Sequence, residues 1–286
     1  MCLKIFDIIF VLFSAAGLLS STTAFAASQN EVLSEQRSMR IDSATYYIGK
    51  QMYGDAERNL KEALRLEPAS RQNALLLSNL GAVQTALGKT DEAIKSYSAG
   101  LCISPRSTVL LTGRGALLLQ LKLPQNAIED FNLALEVDST LSRPRLLRGL
   151  AHISLGEHGR AETDLRKYIA AHDDDDYAMA LLAQCCEMTA KRDEAISLME
   201  KCIALKPEPD YYFDLTRMFI VNDSLEKARE IVQEGITKFP DFGYLYMLRG
   251  YIHRKRYRPS EALADRATAI SKGADPKMVS AWIPEK

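Results

Sequence analysis

The chain has 286 residues and carries 36 lysines and arginines against 37 aspartates and glutamates, a formal net charge of −1. A balance so close to neutral gives no global attraction to nucleic acid or anionic membranes, and it implies no basic partner either. The first residues have a composition of their own: Lys4 precedes an apolar run from Ile8 to Leu19, followed by Ser20-Ser21-Thr22-Thr23 and Ala24-Phe25-Ala26. That order predicts a secretory signal peptide over residues 1–26, cleaved after Ala26, since cleavage after Ala27 would put bulky Phe25 where a small residue is needed. The run has about a dozen residues, short of the roughly 20 that span a bilayer, and retention as an anchor is the alternative. Export to a periplasm, or secretion, is the expected localisation, with no membrane span after cleavage.

Residues 27–36 read as a polar lead into the first helix. Beyond them one alanine returns as Ala56, Ala93, Ala127, Ala161, Ala195, Ala228 and Ala262, in steps of 37, 34, 34, 34, 33 and 34. A period near 34 is that of a helix-turn-helix unit stacked into a solenoid. Four residues after the alanine stand Leu60, Tyr97, Phe131, Leu165, Met199 and Val232, the next turn of an apolar stripe. Twelve before it, Gly81, Gly115, Gly149 and Gly250 allow two antiparallel helices to approach closely. Twelve after it, Pro68, Pro105, Pro207 and Pro240 stop the second helix.

In this frame the units fall near residues 37–70, 74–107, 108–141, 142–175, 176–208, 209–242 and 243–276. The second unit, with Leu77, Leu80-Gly81, Gly88, Ala93, Tyr97, Leu101 and Pro105, resembles the tetratricopeptide repeat family, and the likeness extends over roughly residues 37–276. The family's tryptophan is missing throughout, Asp173 and Ala274 stand in place of the closing proline, and Arg266 replaces the aromatic of the last unit. The resemblance implies an all-α fold, a right-handed α-solenoid of about seven helix-turn-helix repeats over residues 27–276. It also implies a concave groove, lined by the first helix of each unit, that receives a peptide or partner helix. A short capping segment over residues 277–286 is expected after it, as the end of a helix that Asp275-Pro276 starts and that runs through Trp282.

Two positions of the unit change together. The seventh is Arg114, Arg148 and Arg249 in three copies, and in those same copies the twenty-third is Asp130, Asp164 and Asp265. Neither residue occupies those positions elsewhere. We read them as partly buried structural ion pairs rather than as anion ligands.

No catalytic constellation, metal set or cofactor motif is found, and no enzyme is expected. His172-Asp173-Asp174-Asp175-Asp176-Tyr177 lacks the alternating ligands and central glycine of a calcium loop, and reads as a solvated turn whose last aspartate caps the next helix. Gly113-Arg114-Gly115 is no phosphate loop, since no strand precedes it. Cys186 and Cys202 form the one pair the frame brings within disulfide reach, but both positions are interior, where a free cysteine packs as a small hydrophobe.

Function must come from the surface. By the resemblance, unit positions 2, 5, 9 and 12 line the groove. The last three units are richest there: Tyr177, Gln184 and Glu187, then Phe213 and Arg217, then Tyr244, Met247, Tyr251 and Arg254. Aromatics beside arginine compose protein-binding hot spots, and they also fill interfaces between repeats; both readings stand. The Lys and Asn carboxylate clamp of the family's chaperone-tail binders is absent at positions 5 and 9. The expectation is a non-enzymatic scaffold binding a protein or peptide in its groove, without nucleic acid. The alternative is a structural subunit of an envelope assembly that docks by its edges or self-associates.

Overall fold

Helices form wherever the apolar stripe runs uninterrupted, and they end at backbone stops that recur with the repeat. The computed structural model describes residues 31–285, so the predicted signal peptide lies outside the described residues. Among the described residues there are fifteen helices and no strand. Two compact units divide the chain after Thr140.

The first unit holds α1 (residues 31–49), α2 (Tyr53–Leu66), α3 (Asn73–Ala86), α4 (Thr90–Ile103), α5 (Thr108–Gln120) and α6 (Pro124–Val137). From α2 on, each helix packs on the next, and α3 also packs on α5. The second unit holds α7 (Ser142–Ser154), α8 (His158–Ile169), α9 (Asp176–Met188), α10 (Arg192–Leu205), α11 (Pro209–Val221), α12 (Leu225–Lys238), α13 (Gly243–Lys255), α14 (Pro259–Ser271) and α15 (Pro276–Trp282). Its helices follow the same rule, and α11 also packs on α13. These are stacked helical hairpins, three in the first unit and four in the second.

The polar lead is itself helical from residue 31, because it contains neither proline nor glycine and the arginine that follows it is held. Arg37 Nη2 donates to Asn73 Oδ1 at 2.9 Å, and Nη1 lies 3.0 Å from Glu67 Oε2. The seven register alanines are all buried, none exposing more than 2% of its surface. Close approach of the paired helices depends on the glycines facing them. A methyl group on Gly81 would stand 2.8 Å from the Tyr97 ring, and one on Gly115 would stand 2.7 Å from Phe131. Gly115→Ala is expected to cost about 1–3 kcal/mol in denaturant melts, with Phe131→Leu in the same chain returning part of it. An unchanged midpoint would show that α5 and α6 can simply move apart.

Each hairpin turns through one residue with left-handed backbone: Gln51, Gly88, Lys122, Gly156, Ala190, Asp223 and Tyr257, at φ of 54° to 73°. The amide that follows each returns to the helix, as Lys89 N to Gln84 O at 2.9 Å and Arg258 N to His253 O at 3.0 Å. This is the helix closure in which two residues past the end satisfy carbonyls otherwise left bare. Only two of the seven are glycine.

The aspartate run corrects one expectation by a residue. Asp175, not Asp176, caps α9, accepting from Ala178 N at 2.9 Å, while Asp176 is already helical. Asp175 is also held by Tyr168, whose hydroxyl donates to Oδ2 at 2.8 Å. Cys102, Cys185, Cys186 and Cys202 are all free thiols. The Cys202 thiol donates to Asp176 O at 3.4 Å, directed at the start of α9 rather than at Cys186. Burial pushes Cys202 up to about 12 and Cys186 to about 11, which leaves them protonated and inert.

At the C-terminal end Asp275 accepts from Lys277 N at 2.9 Å and Pro276 opens α15, which packs on α13 and α14. Val279 and Ile283 are fully buried, and Trp282 meets the Tyr251 ring edge-on at 4.9 Å.

Candidate functional site

The three Arg–Asp pairs meet within their own hairpins. Arg114 reaches Asp130 at 2.9 and 2.7 Å, Arg148 reaches Asp164 at 2.7 and 2.6 Å, and Arg249 reaches Asp265 at 2.9 and 2.6 Å, each through Nε and Nη2. All three carboxylates are buried. A guanidinium held at both oxygens in this way has spent its planar fork on the partner.

The groove candidates separate. Tyr177, Gln184, Glu187 and Arg217 line one cleft of about 530 Å³ between α9 and α11. Phe213 and Tyr244 pack on each other, edge to face at 6.0 Å, and the Tyr244 hydroxyl accepts from Asp275 N at 3.4 Å. Tyr251 packs on Trp282, and Arg254 donates from Nη1 to Trp282 O at 3.4 Å. Met247 is fully buried in the core of the second unit and is withdrawn from the candidate surface. Its helix α13 has α11, α14 and α15 packed against it, so a position read as groove-lining is closed over. For Phe213, Tyr244 and Tyr251, packing between helices is what the structure contains.

The cleft differs in character from what aromatics beside arginine implied. Arg217 forks onto Glu187, Nη1 and Nη2 each 2.7 Å from a carboxylate oxygen, and lies 3.4 Å from Asp214 Oδ1. Those contacts hold the guanidinium firmly charged, and they also neutralise it. The lining contains five carboxylates, Asp176, Glu187, Glu208, Asp210 and Asp214, against Lys206 and Arg217, a formal charge of −3. Lys206 is taken by Glu208 at 2.9 Å. Asp176 accepts from the Tyr211 hydroxyl at 2.6 Å, and burial together with that contact pushes the phenol well above its usual range. Burial raises the Asp214 carboxyl above its ordinary value, and Arg217 offsets this only in part. Leu181, Met199 and Met218 supply apolar lining, and Tyr177 stands 54% exposed.

Tyr211, Asp214, Lys206 and Glu208 are cleft residues that the groove positions do not include. The first two neighbour those positions on α11, and the other two sit in the preceding turn. The pairing of Glu187 with Arg217 is legible as unit position 12 facing position 9 of the next unit.

A further ionic device lies outside the sequence motifs. Glu57 is buried and meets Lys61 and Lys89, each at 2.6 Å, and Gln84 at 3.3 Å; Lys61 in turn meets Glu92 at 3.1 Å. In the second unit Glu162 meets Arg166 at 2.9 Å and Lys191, and Arg166 meets Glu194 at 2.7 Å. The same ionic joint ties one hairpin to the next in each unit.

Among the described residues no group of three or more His, Cys, Asp or Glu is placed to hold a metal ion, and no helix is long and apolar enough to cross a membrane.

Residues 41–108 and 146–208 match the tetratricopeptide repeat family model. The chain is 33% identical over 107 residues to the TPR repeat-containing thioredoxin TDX of Arabidopsis thaliana, which covers 37% of this chain and 28% of that protein. It is 38% identical over 79 residues to Hsc70-interacting protein 1 of Drosophila melanogaster, covering 28% of this chain and 21% of that protein. The chain therefore spans less than a third of either relative. Among solved structures it is similar to a tetratricopeptide repeat protein from Parabacteroides merdae, at 26% identity and a TM-score of 0.63, over 87% of this chain and 98% of that one.

Proposed function

We propose, for a chain that carries tetratricopeptide repeats, a non-enzymatic scaffold that holds a segment of a partner protein in the cleft between α9 and α11. The observation that carries this reading is the cleft itself: an apolar floor, an exposed tyrosine at its edge, and five carboxylates facing two cations that are already paired. An apolar floor edged by charged and polar groups suits a short peptide segment, and the residual negative charge selects one bearing lysine or arginine beside an apolar residue. The Drosophila relative is by name a protein that interacts with another protein, which agrees with work of this kind, although this chain lacks a carboxylate clamp. With export, read from residues 1–26, the partner belongs to a periplasm or to the outside of the cell.

Random-peptide display against the protein tests the reading. Selected peptides are expected to combine a basic and an apolar residue, and to bind Asp210→Lys or Tyr177→Ala about tenfold more weakly in fluorescence anisotropy. Equal affinity for both variants would remove the cleft from the mechanism.

A further inference from the structure

The chemistry that the cleft would take is present on the same chain. The last turn of α13 and the turn into α14 read His253-Arg254-Lys255-Arg256-Tyr257-Arg258, four cations in six residues of a chain whose net charge is −1. Arg256 pairs with Glu226, and Lys255 lies over the Tyr251 ring at 5.5 Å. Arg258 is exposed and has no ion-pair partner among the described residues. At the apex Tyr257 is 94% exposed, more than any other large apolar side chain among the described residues. Its φ is +58°, in the left-handed region where two of the other hairpins place glycine.

A bulky aromatic in that conformation is disfavoured on two counts, by backbone strain and by apolar surface left in water. Neither count is relieved within the fold. The hairpin closure requires the left-handed backbone, yet Gly88 and Gly156 show that it requires no aromatic ring there. An exposed tyrosine flanked by arginines is the composition of an interface anchor.

We infer that the Arg256-Tyr257-Arg258 turn of one copy docks in the α9–α11 cleft of a second copy. The inference rests on the cleft reading above and identifies its occupant. Tyr257 would enter against Leu181, Met199 and Met218, while Arg258 meets the carboxylate of Asp210, which is exposed and has no ion-pair partner among the described residues. Turn and cleft lie on different hairpins, and docked in one direction only they make a head-to-tail contact. Each added copy leaves one turn and one cleft open, and association continues into rings or filaments rather than stopping at a symmetric dimer.

Sedimentation of the purified protein at high micromolar concentration, at low and high salt, tests this. The wild type is expected to form species larger than a dimer that dissociate as salt screens the contact. Asp210→Lys, which closes the cleft, and Tyr257→Gly, which removes the anchor, are each expected to sediment as monomers. An equal mixture of the two should form a one-to-one pair and go no further, because it retains one working turn and one working cleft. Tyr257→Gly should also melt about 2 °C higher, since glycine relieves the left-handed strain; a residue kept for folding would not behave so. A monomeric wild type, or association that survives in both variants, overturns the inference. A monomeric wild type whose cleft still binds display-selected peptides leaves the cleft reading standing, whereas peptides indifferent to Asp210→Lys overturn both.

Discussion

Replacing Arg114 by alanine is expected to cost about 3–5 kcal/mol, read as a lower urea midpoint with an unchanged slope. Asp130 is only 4% exposed and takes two hydrogen bonds from that guanidinium, at 2.9 and 2.7 Å. Its removal leaves a carboxylate without its cation inside the helix hairpin, and the desolvation once balanced by the pair becomes a net loss. Arg114 also reaches Ser98 Oγ at 3.1 Å, which links α5 to α4. Replacing both Arg114 and Asp130 by leucine is expected to recover most of the loss, because no buried charge then remains. A single variant within about 0.5 kcal/mol of wild type would mean that the pair is solvated in solution, and the structural role assigned to it would fail.

The second large effect is a loss of stability in acid that depends on Glu57. Burial pushes its carboxyl up, but hydrogen bonds from Lys61, Lys89 and Gln84 outweigh burial and hold it down at about 2, against an ordinary 4.5. A carboxylate whose pKa is lower folded than unfolded adds stability that is fully present above the unfolded value and fades as pH falls through the folded one. The window therefore runs from about 4.5 down to about 2. Both lysines are about half exposed, so solvent screens the pairs and the contribution is on the order of 1–2 kcal/mol at neutral pH. Melts of Glu57→Gln should start lower at pH 7 and lose less than wild type between those two values. Parallel curves for the two proteins would show that the joint contributes nothing to acid sensitivity. Glu162 is held low in the same sense, burial being outweighed by Lys191 and Arg166, so the double variant should flatten the curve further.

Much of this architecture can be read from residue order, for reasons that show where the reading stops. The alanine register and the glycines that face Tyr97 and Phe131 are legible because helix packing demands the same small residue at the same place in each hairpin. Arg114 with Asp130 is legible because both partners lie in one hairpin and change together. The Glu57 joint obeys the same logic one step wider. Glu57 and Glu162 stand where other units have Ile94, Ile128, Ile196, Arg229 and Leu263, but the lysines that answer them, Lys89 and Lys191, belong to the following unit. Comparison within single units misses it. Arg217 reads as a free cation for the same reason, since Glu187, which neutralises it, lies in the preceding unit. Met247 depends on something no single unit encodes: helices of the preceding unit and α15 pack on α13 together with α14.

The left-handed residue that closes each hairpin is needed for its backbone and not for its side chain. Backbone amides satisfy the helix end whether the residue is Gln51, Lys122, Ala190, Asp223 or Tyr257. All seven of these residues are exposed. A substitution there costs no more than about 1–2 kcal/mol in backbone strain and disturbs no packing. The repeats thus carry a set of sites open to chemical variety at little cost to folding, where recognition can drift or be engineered while the hairpins beneath stay unchanged. Dyes, tags or new binding side chains placed at Lys122 or Ala190 would inherit that freedom.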